Sequence, residues 1–221
     1  GVRPAEAVAF VRRLKGIPAL EVEGIFTHLA TADEGDLTFA RTQLDAFSAV
    51  LAALEREQVH VPYRHAANSA ALLRVPQARF NLVRPGLAVY GVCPAAGLEG
   101  VASLRSALTW KTCIAQIKVM RPGDTVGYGR TWRARGGEVV GTLPVGYADG
   151  YRRVLSNRGE VLVRGRRARV VGRVSMDQVT VLLPGEVAPG EEVVLLGQQG
   201  EESVSAWDLA RAAETIPYEV L

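Results

Sequence analysis

Apolar residues in the first hundred positions alternate between helical spacing and short continuous runs. A first helix is predicted from Pro4, which suits an opening turn, to Gly16, where the apolar spacing stops. A second helix is predicted by a stripe that steps by four and three residues: Ala40, Leu44, Phe47, Leu51 and Leu54. Asn68 and Ser69 open a third, short helix with the sequence SAALLR.

Strand patterns lie between these helices, in LEVEGIF (20–26), VPYRHA (61–66) and FNLV (80–83). Strands that alternate with helices are typical of a parallel sheet or a (β/α) barrel. Three such units cannot close an eight-stranded barrel, and a partial barrel would leave strand edges unpaired. We therefore expect a further segment, or another chain, to complete the sheet.

Beyond residue 100 the pattern changes to short alternating strands separated by frequent glycines. The alternation is found at three places: 110–114, 161–163 and 179–181. This pattern favours a compact, mostly antiparallel β domain. Ser205 and Asp208 have the spacing of a capping box, which predicts a helix through Ala213. The chain is thus divided into a βα domain over 1–100 and a β domain over 101–221.

The composition, 48% hydrophobic and 22% charged among 221 residues, is that of a folded protein. No stretch approaches the roughly 18 apolar residues of a membrane span, and the N-terminus lacks the blocks of a signal peptide. Only Cys93 and Cys113 occur, which indicates a reducing, cytoplasmic location without a disulfide framework. The histidines lack metal-ligand spacing, so we expect no metal site. Because there is no apolar span, we also expect no membrane partner.

The charge is unevenly distributed although the net charge is only +3. Residues 121–173 contain twelve arginines and four acids, whereas residues 184–221 contain eight acids and one arginine. The arginine-rich segment could bind nucleic acid, but its aromatics are tyrosines in glycine-rich contexts and one tryptophan. We favour a solvated surface or a contact with the acidic segment, and expect no nucleic-acid partner.

Four polar residues fall directly after predicted strands: His28, Asn68, Ser69 and Arg84. In a (β/α) barrel these positions share the face where active sites form. Ser69 at a helix start, with Gly86 in a nearby turn, suits a phosphate group. Each residue also has a structural interpretation: Ser69 as a helix cap, Arg84 in an ion pair and His28 as a core histidine.

Six segments together resemble the alanine racemases, which depend on pyridoxal 5'-phosphate (PLP). The segments follow that family in order and spacing: GIFTHLATAD (24–33), HAANSAA (65–71), VRPGLAVYG (83–91), VGYG (126–129), PVGYADGY (144–151) and VGRVSMDQ (171–178). The resemblance implies an α/β plus β fold, the C-terminal part of a (β/α)8 TIM-type barrel followed by a mostly antiparallel β domain.

The resemblance also implies a cofactor site in the first domain. Arg84 resembles the arginine that hydrogen-bonds the pyridine nitrogen, and His28 its neighbour in a hydrogen-bond network. Because a guanidinium does not release its proton, the ring would stay a weaker electron sink. Ser69, Gly86 and Leu87 resemble phosphate contacts, the last two through backbone N–H groups, and Asn68 lies beside them.

In the β domain, the resemblance implies substrate contacts that act across a homodimer. Tyr128 resembles one of two catalytic bases, on the L-alanine side, and works in the partner subunit's site. Met176 resembles a contact to the substrate carboxylate, and Tyr147 a residue at the mouth of the substrate channel. The implied reaction is a two-base exchange of the Cα proton between L- and D-alanine, which supplies D-alanine for peptidoglycan.

The sequence departs from the family in its lysines. Only Lys15, Lys111 and Lys118 occur, and none lies in the alanine-, tyrosine- and glycine-rich segment that holds the family's cofactor lysine. We therefore expect a fragment that lacks the N-terminal lysine segment and the extreme C-terminus, inactive by itself. The alternative is a non-catalytic relative that binds PLP or a protein partner.

Overall fold

The computed structural model describes residues 1–95, 97–98 and 100–221, which form two compact units. The first unit spans Gly1–Arg105 and the second Ser106–Leu221. Each unit has its own elements and its own buried residues.

The described residues of the first unit form three α-helices and two short strands. The helices are α1 (Pro4–Lys15), α2 (Thr38–Arg56) and α3 (Ser69–Arg74), and the strands are β1 (Gly24–Phe26) and β2 (Tyr63–His65). The two strands pair in parallel, with Gly24 opposite Tyr63 and Phe26 opposite His65. Parallel strands end at the same edge of a sheet, so the residues after β1 and β2 emerge together.

The long helix α2 connects the two hydrophobic clusters of the first unit. The predicted stripe is confirmed, because its five members are buried. Leu44, Phe47 and Leu51 pack with Leu29 and the alanines that follow β2. Val50 and Leu54 pack with Ala7, Val11 and Val61 under α1. Burial of each leucine stabilises the unit by about 1.5–3 kcal/mol, so these contacts fix the helices against the strands.

Two strand predictions for this unit are wrong in extent or in kind. The segment LEVEGIF is a strand only over Gly24–Phe26. The segment FNLV (80–83) forms a turn and irregular backbone rather than a third strand. Asn81 explains why: its side-chain N–H donates to the Pro62 carbonyl (2.7 Å) and its Oδ1 accepts from the Arg64 N–H (2.8 Å). An amide side chain thus bonds the edge of β2 where a neighbouring backbone would.

The second unit is built of short strands and one helix. The strands are β3 (Trp110–Cys113), β4 (Gln116–Val119), β5 (Thr125–Val126), β6 (Trp132–Arg133), β7 (Val139–Leu143), β8 (Glu160–Val163), β9 (Arg166–Arg169), β10 (Val179–Leu182), β11 (Glu192–Gln199) and β12 (Glu202–Val204), and the helix is α4 (Ala206–Ala212). The predicted antiparallel character is confirmed for the strand pairs of this unit.

Strand β11 lies at the centre of the second unit. It pairs with β3, β8 and β12, and its residues Val193–Leu196 are buried. Its neighbour β8 is buried on both faces at Val161–Val163, so the alternation expected there gives way to a continuous apolar run. Helix α4 begins with the predicted capping box, in which Ser205 and Asp208 bond each other's backbone N–H groups.

Candidate functional site

The first candidate site lies where β1 and β2 end. Thr27 and His28 follow β1, and His65 is the last residue of β2. The Thr27 N–H donates to the His65 carbonyl (3.2 Å), which extends the parallel pairing by one bond. Arg84 joins this edge through its backbone, because its N–H donates to the Ala67 carbonyl (2.9 Å). The segments that contain His28, His65 and Arg84 thus meet at one edge of the sheet.

The guanidinium of Arg84 connects both histidines. Its Nη1 lies 2.6 Å from Nδ1 of His65, and its Nη2 lies 3.2 Å from Nδ1 of His28. Nη2 also donates to the Thr27 carbonyl (3.1 Å) and reaches that of Ala66 (3.5 Å). The Nε–H of Arg84 has no acceptor within the described part of the chain. One donor of this arginine therefore remains available to a ligand.

These contacts determine the protonation of the two imidazoles. A guanidinium has only donors, so Nδ1 of each histidine must accept and carry no proton. Desolvation, and then the charge of Arg84, lowers the pKa of His65 from its ordinary value. Desolvation also lowers the pKa of Arg84, which still leaves a guanidinium charged at neutral pH. The site is therefore one cation held between two imidazole nitrogens.

Ser69 is buried and bonds the turn that follows Arg84 rather than its own helix. Its Oγ accepts from the N–H groups of Gly86 (2.8 Å) and Ala88 (3.2 Å). The cap of α3 is instead Asn68, whose Oδ1 accepts from the Ala71 N–H (2.9 Å). The structural interpretation of Ser69 as the helix cap is therefore wrong, and Asn68 takes that role.

The turn at Gly86–Ala88 leaves one donor between two that are used. The N–H of Leu87 has no acceptor among the described residues, although Leu87 is buried. The Ser69 hydroxyl accepts two bonds and keeps its own proton to donate. The N–H of Gly86, by contrast, is occupied by Ser69. An anion at this turn would thus find Leu87 N–H and Ser69 O–H as donors, but not Gly86 N–H in this arrangement.

The second unit brings Tyr128, Tyr147 and Met176 together through three adjacent loops, 126–131, 144–151 and 171–178. The N–H of Tyr147 donates to the Ser175 carbonyl (3.0 Å), and the N–H of Ala148 to that of Met176 (2.9 Å). The side chains of all three residues are exposed, Tyr128 by 73% and Met176 by 58%. These three exposed side chains, two of which carry a phenol hydroxyl, form the exposed patch of the adjacent loops.

Two glycines allow these loops to lie so close. A Cβ on Gly146 would lie 2.4 Å from the carbonyl oxygens of Ser175 and Met176, a distance that the backbone cannot accept. Gly127 has a φ of +68° and packs against the backbone of Arg173. These positions fix Tyr128 and Tyr147 relative to the 171–178 loop.

Comparison with known protein families matches both units. The model of the alanine racemase N-terminal domain matches residues 1–94, and that of the alanine racemase C-terminal domain matches residues 107–221. The chain belongs to the alanine racemase family.

Individual alanine racemases are similar along the whole chain. An alanine racemase of Symbiobacterium thermophilum is 48% identical over 223 residues, which cover 100% of this chain and 59% of that protein. Alanine racemase 2 of Bacillus subtilis is 42% identical over 227 residues, which cover 100% of this chain and 58% of that protein. The chain thus spans less than two thirds of the length of these racemases.

Solved racemase structures agree with the fold. The alanine racemase of Bacillus anthracis, crystallised with bound L-Ala-P, is 41% identical and superimposes with a TM-score of 0.91 over 99% of this chain and 57% of its own. The enzyme from the D-cycloserine producer Streptomyces lavendulae is 42% identical, with a TM-score of 0.87 over 98% of this chain and 58% of its own. The fold is therefore that of the racemase family, a TIM-barrel N-terminal domain with a β C-terminal domain.

His65 is the site residue that sequence reasoning missed. It begins the HAANSAA segment and ends β2, and both facts are visible in the sequence. Its bond to Arg84 is shorter than that of His28, the histidine that was singled out. The position of His65 at the end of a predicted strand was the signal that could have identified it. The resemblance to the racemases implied no role for this residue.

The arginine-rich segment pairs with the acidic segment, as the favoured interpretation predicts. The pairs are Arg152–Glu219, Arg158–Glu214, Arg164–Glu191 and Arg167–Glu202, with Asp208 also near Arg167. Paired guanidinium groups are less available to phosphates. Ion pairs at the surface of a protein contribute little to its stability.

In the residues that the structure describes, no helix combines the length and the apolar character needed to cross a membrane. The same part of the chain contains no group of three metal-ligating side chains.

Proposed function

We propose that this chain forms part of a PLP-dependent alanine racemase, which interconverts L- and D-alanine by a two-base mechanism. The observation that supports this proposal best is the arrangement around Arg84, whose free Nε–H lies on a guanidinium fixed by two histidines. Such a group can donate to a ring nitrogen without protonating it. Supply of D-alanine for peptidoglycan in the cytoplasm is the corresponding physiological role.

The residues of the first unit fit PLP in two places. Arg84 would bond the pyridine nitrogen, while Leu87 N–H and the Ser69 hydroxyl would bond the phosphate, with Asn68 holding the start of α3 beside them. The role of Gly86 N–H as a direct phosphate donor would require release from Ser69 Oγ, 2.8 Å away. When bound, PLP makes the Cα–H of an amino acid acidic.

The chain's own residues would then move the proton and hold the substrate. Tyr128, as a phenolate, would take the Cα proton of L-alanine from one face while the second base gives a proton to the opposite face, and the phenol would return its proton in the reverse direction. Met176 would contact the substrate carboxylate through its backbone, and Tyr147 would border the substrate channel. A lysine on the opposite face would be the second base.

None of the three lysines in this chain is placed to be that second base. Lys15 Nζ donates to the His60 carbonyl (2.6 Å), before the start of β2 and away from the strand ends, and Lys111 pairs with Glu192 (2.8 Å). Lys118 lies on β4 in the second unit. We therefore infer that the 221-residue chain alone does not catalyse racemisation of alanine.

A homodimer with shared active sites is the assembly we propose. The exposed patch of Tyr128, Tyr147 and Met176 would complete the cofactor site of the partner subunit. Two-fold pairing places each patch on the other subunit's site, so one interface yields two identical sites.

The test is racemisation of L- and D-alanine by the full-length protein before and after removal of PLP. We expect activity that disappears on removal and returns when PLP is added, together with a dimer mass by light scattering. Tight PLP binding without racemisation would support the alternative, a non-catalytic PLP-binding relative. Racemisation that continues without PLP would contradict the proposal.

A further inference from the structure

Phe26, the last residue of β1, makes contacts that core packing does not explain. Its side chain is 62% exposed, so burial contributes little to its role. It lies directly opposite His65 in the parallel pair, and opposed residues point to the same face of a sheet. Its ring stacks on the His65 imidazole with centroids 5.1 Å apart and planes 17° from parallel.

The same ring contacts Arg84. The guanidinium carbon of Arg84 lies 5.1 Å from the centroid of the Phe26 ring, within the range of a cation–π contact. Arg84 and His65 are themselves joined by the 2.6 Å bond between Nη1 and Nδ1. Phe26 therefore contacts both members of a hydrogen-bonded pair through its ring.

These contacts answer two physical demands of the site. The imidazole can rotate about its bond to Cβ, and a stacked ring restricts that rotation so that Nδ1 keeps facing the guanidinium. Desolvation disfavours the charged guanidinium, and the negative face of an aromatic ring partly offsets that penalty. An aliphatic side chain of similar volume would provide neither effect.

We propose that Phe26 is a positioning residue, which holds His65 and Arg84 as one rigid donor group through its aromatic face. It acts through these two residues and need not touch a substrate. The statement that Arg84 is aligned with the pyridine ring of PLP rests on the proposed function. The alignment itself concerns only the described residues.

The experiment compares Phe26→Leu with Phe26→Tyr in the full-length protein, with Phe39→Leu as the matched control. Phe39 is a similarly exposed phenylalanine (55%) in the first turn of α2. The first measurement is the ¹⁵N spectrum of the His65 imidazole and the Arg84 guanidinium without cofactor. The second is the dissociation constant of PLP.

We expect Phe26→Leu to shift the His65 Nδ1 and Arg84 signals and to weaken PLP binding by about fivefold or more. Phe26→Tyr and Phe39→Leu should keep the wild-type spectrum and bind PLP within about twofold of wild type. The inference would be overturned if neither Phe26→Leu nor Phe26→Tyr shifted these signals. It would also be overturned if both variants shifted them by the same amount. If the wild type binds no PLP, the proposed function fails, and the spectra still decide the role of Phe26.

Discussion

The hydroxyl oxygen of Ser69 lies 2.8 Å from the backbone nitrogen of Gly86 and so joins helix α3 to the turn after Arg84. A second bond, from the Ala88 N–H, reaches the same oxygen (3.2 Å). One buried hydroxyl therefore fixes the turn that begins two residues after Arg84, in which the Leu87 N–H has no acceptor among the described residues. The proposed cofactor site depends on a side chain that its sequence position also suits to a simple helix cap.

Ser69→Ala should destabilise the first unit and loosen the turn. The N–H groups of Gly86 and Ala88 would lose their buried acceptor, and each lost hydrogen bond costs about 0.5–1.5 kcal/mol of unfolding free energy. Urea unfolding, together with hydrogen exchange at Gly86 and Ala88, measures both effects. Ser103→Ala, at an exposed serine, is the control and should change the unfolding free energy by less than about 0.5 kcal/mol. Equal behaviour of the two variants would exclude this role for Ser69.

His65 should make stability depend on pH below neutrality. Its pKa is lowered in the folded protein, so above the ordinary value of 6.5 it is neutral in both states. As the pH falls from 6.5 toward the lower folded value, the unfolded chain binds the proton first, and stability is lost over that window.

The measurement for His65 is the unfolding free energy between neutral pH and the point where carboxylates begin to titrate. His65→Asn keeps an acceptor for Arg84 and removes the titration, so its slope should be smaller than that of wild type. His60→Asn, at an exposed histidine, should retain the wild-type slope. A slope unaffected by His65→Asn would show that His65 binds protons equally in both states.

Gly146→Ala should disturb the loops that bear Tyr147 and Met176. The added Cβ would lie 2.4 Å from two backbone oxygens, so the loops must separate. We expect a loss of about 1–3 kcal/mol in unfolding free energy. Gly35→Ala, where nothing lies within 4 Å, is the control and should change it by less than about 0.5 kcal/mol. Thermal melting of both variants checks this, and tolerance of Gly146→Ala would mean that the loops are not closely packed.

The arginine-rich segment should not make this protein a nucleic-acid binder. Four of its twelve arginines pair with the acidic segment, and Arg166 and Arg169 donate to backbone carbonyls, so half of them are engaged within the chain. Titration with duplex DNA and with single-stranded RNA at two salt concentrations should detect no salt-dependent binding. Binding that weakens steeply with salt would contradict this.

Much of the fold could be predicted from the spacing of apolar residues, because a long helix repeats that spacing over several turns. The stripe of α2 and the end of α1 at Gly16 are examples. The segment FNLV failed because its residues suit a strand, whereas the bonds at that place come from the Asn81 side chain. Local pattern does not reveal which atom of a residue will bond a neighbouring strand.

The residues of the candidate site could be predicted only in part from the sequence. Strand ends and the family resemblance pointed to Arg84, His28 and Ser69, which the structure brings to one edge of the sheet or to the adjacent turn. The exchange of roles between Asn68 and Ser69 depends on the turn at Gly86–Ala88, a contact between distant parts of the chain. His65 and Phe26 gained their interpretation only when the register of β1 and β2 was known.

The most direct test of the central claim is exchange of the alanine α-hydrogen in D₂O, catalysed by the PLP-loaded full-length protein and its Tyr128→Phe variant. L- and D-alanine have equal free energy, so kcat/KM for racemisation must fall equally in both directions. The loss should be at least about 100-fold, as expected when a proton-transferring group is removed.

Exchange separates the two bases where racemisation cannot. With Tyr128→Phe, D-alanine should still exchange its α-hydrogen while L-alanine does not, and Tyr63→Phe, which removes a hydroxyl from an exposed tyrosine of β2, should exchange both. Continued exchange of L-alanine by Tyr128→Phe, or loss of both exchanges together with weakened PLP binding, would contradict the assignment of Tyr128 as the base on the L-alanine side.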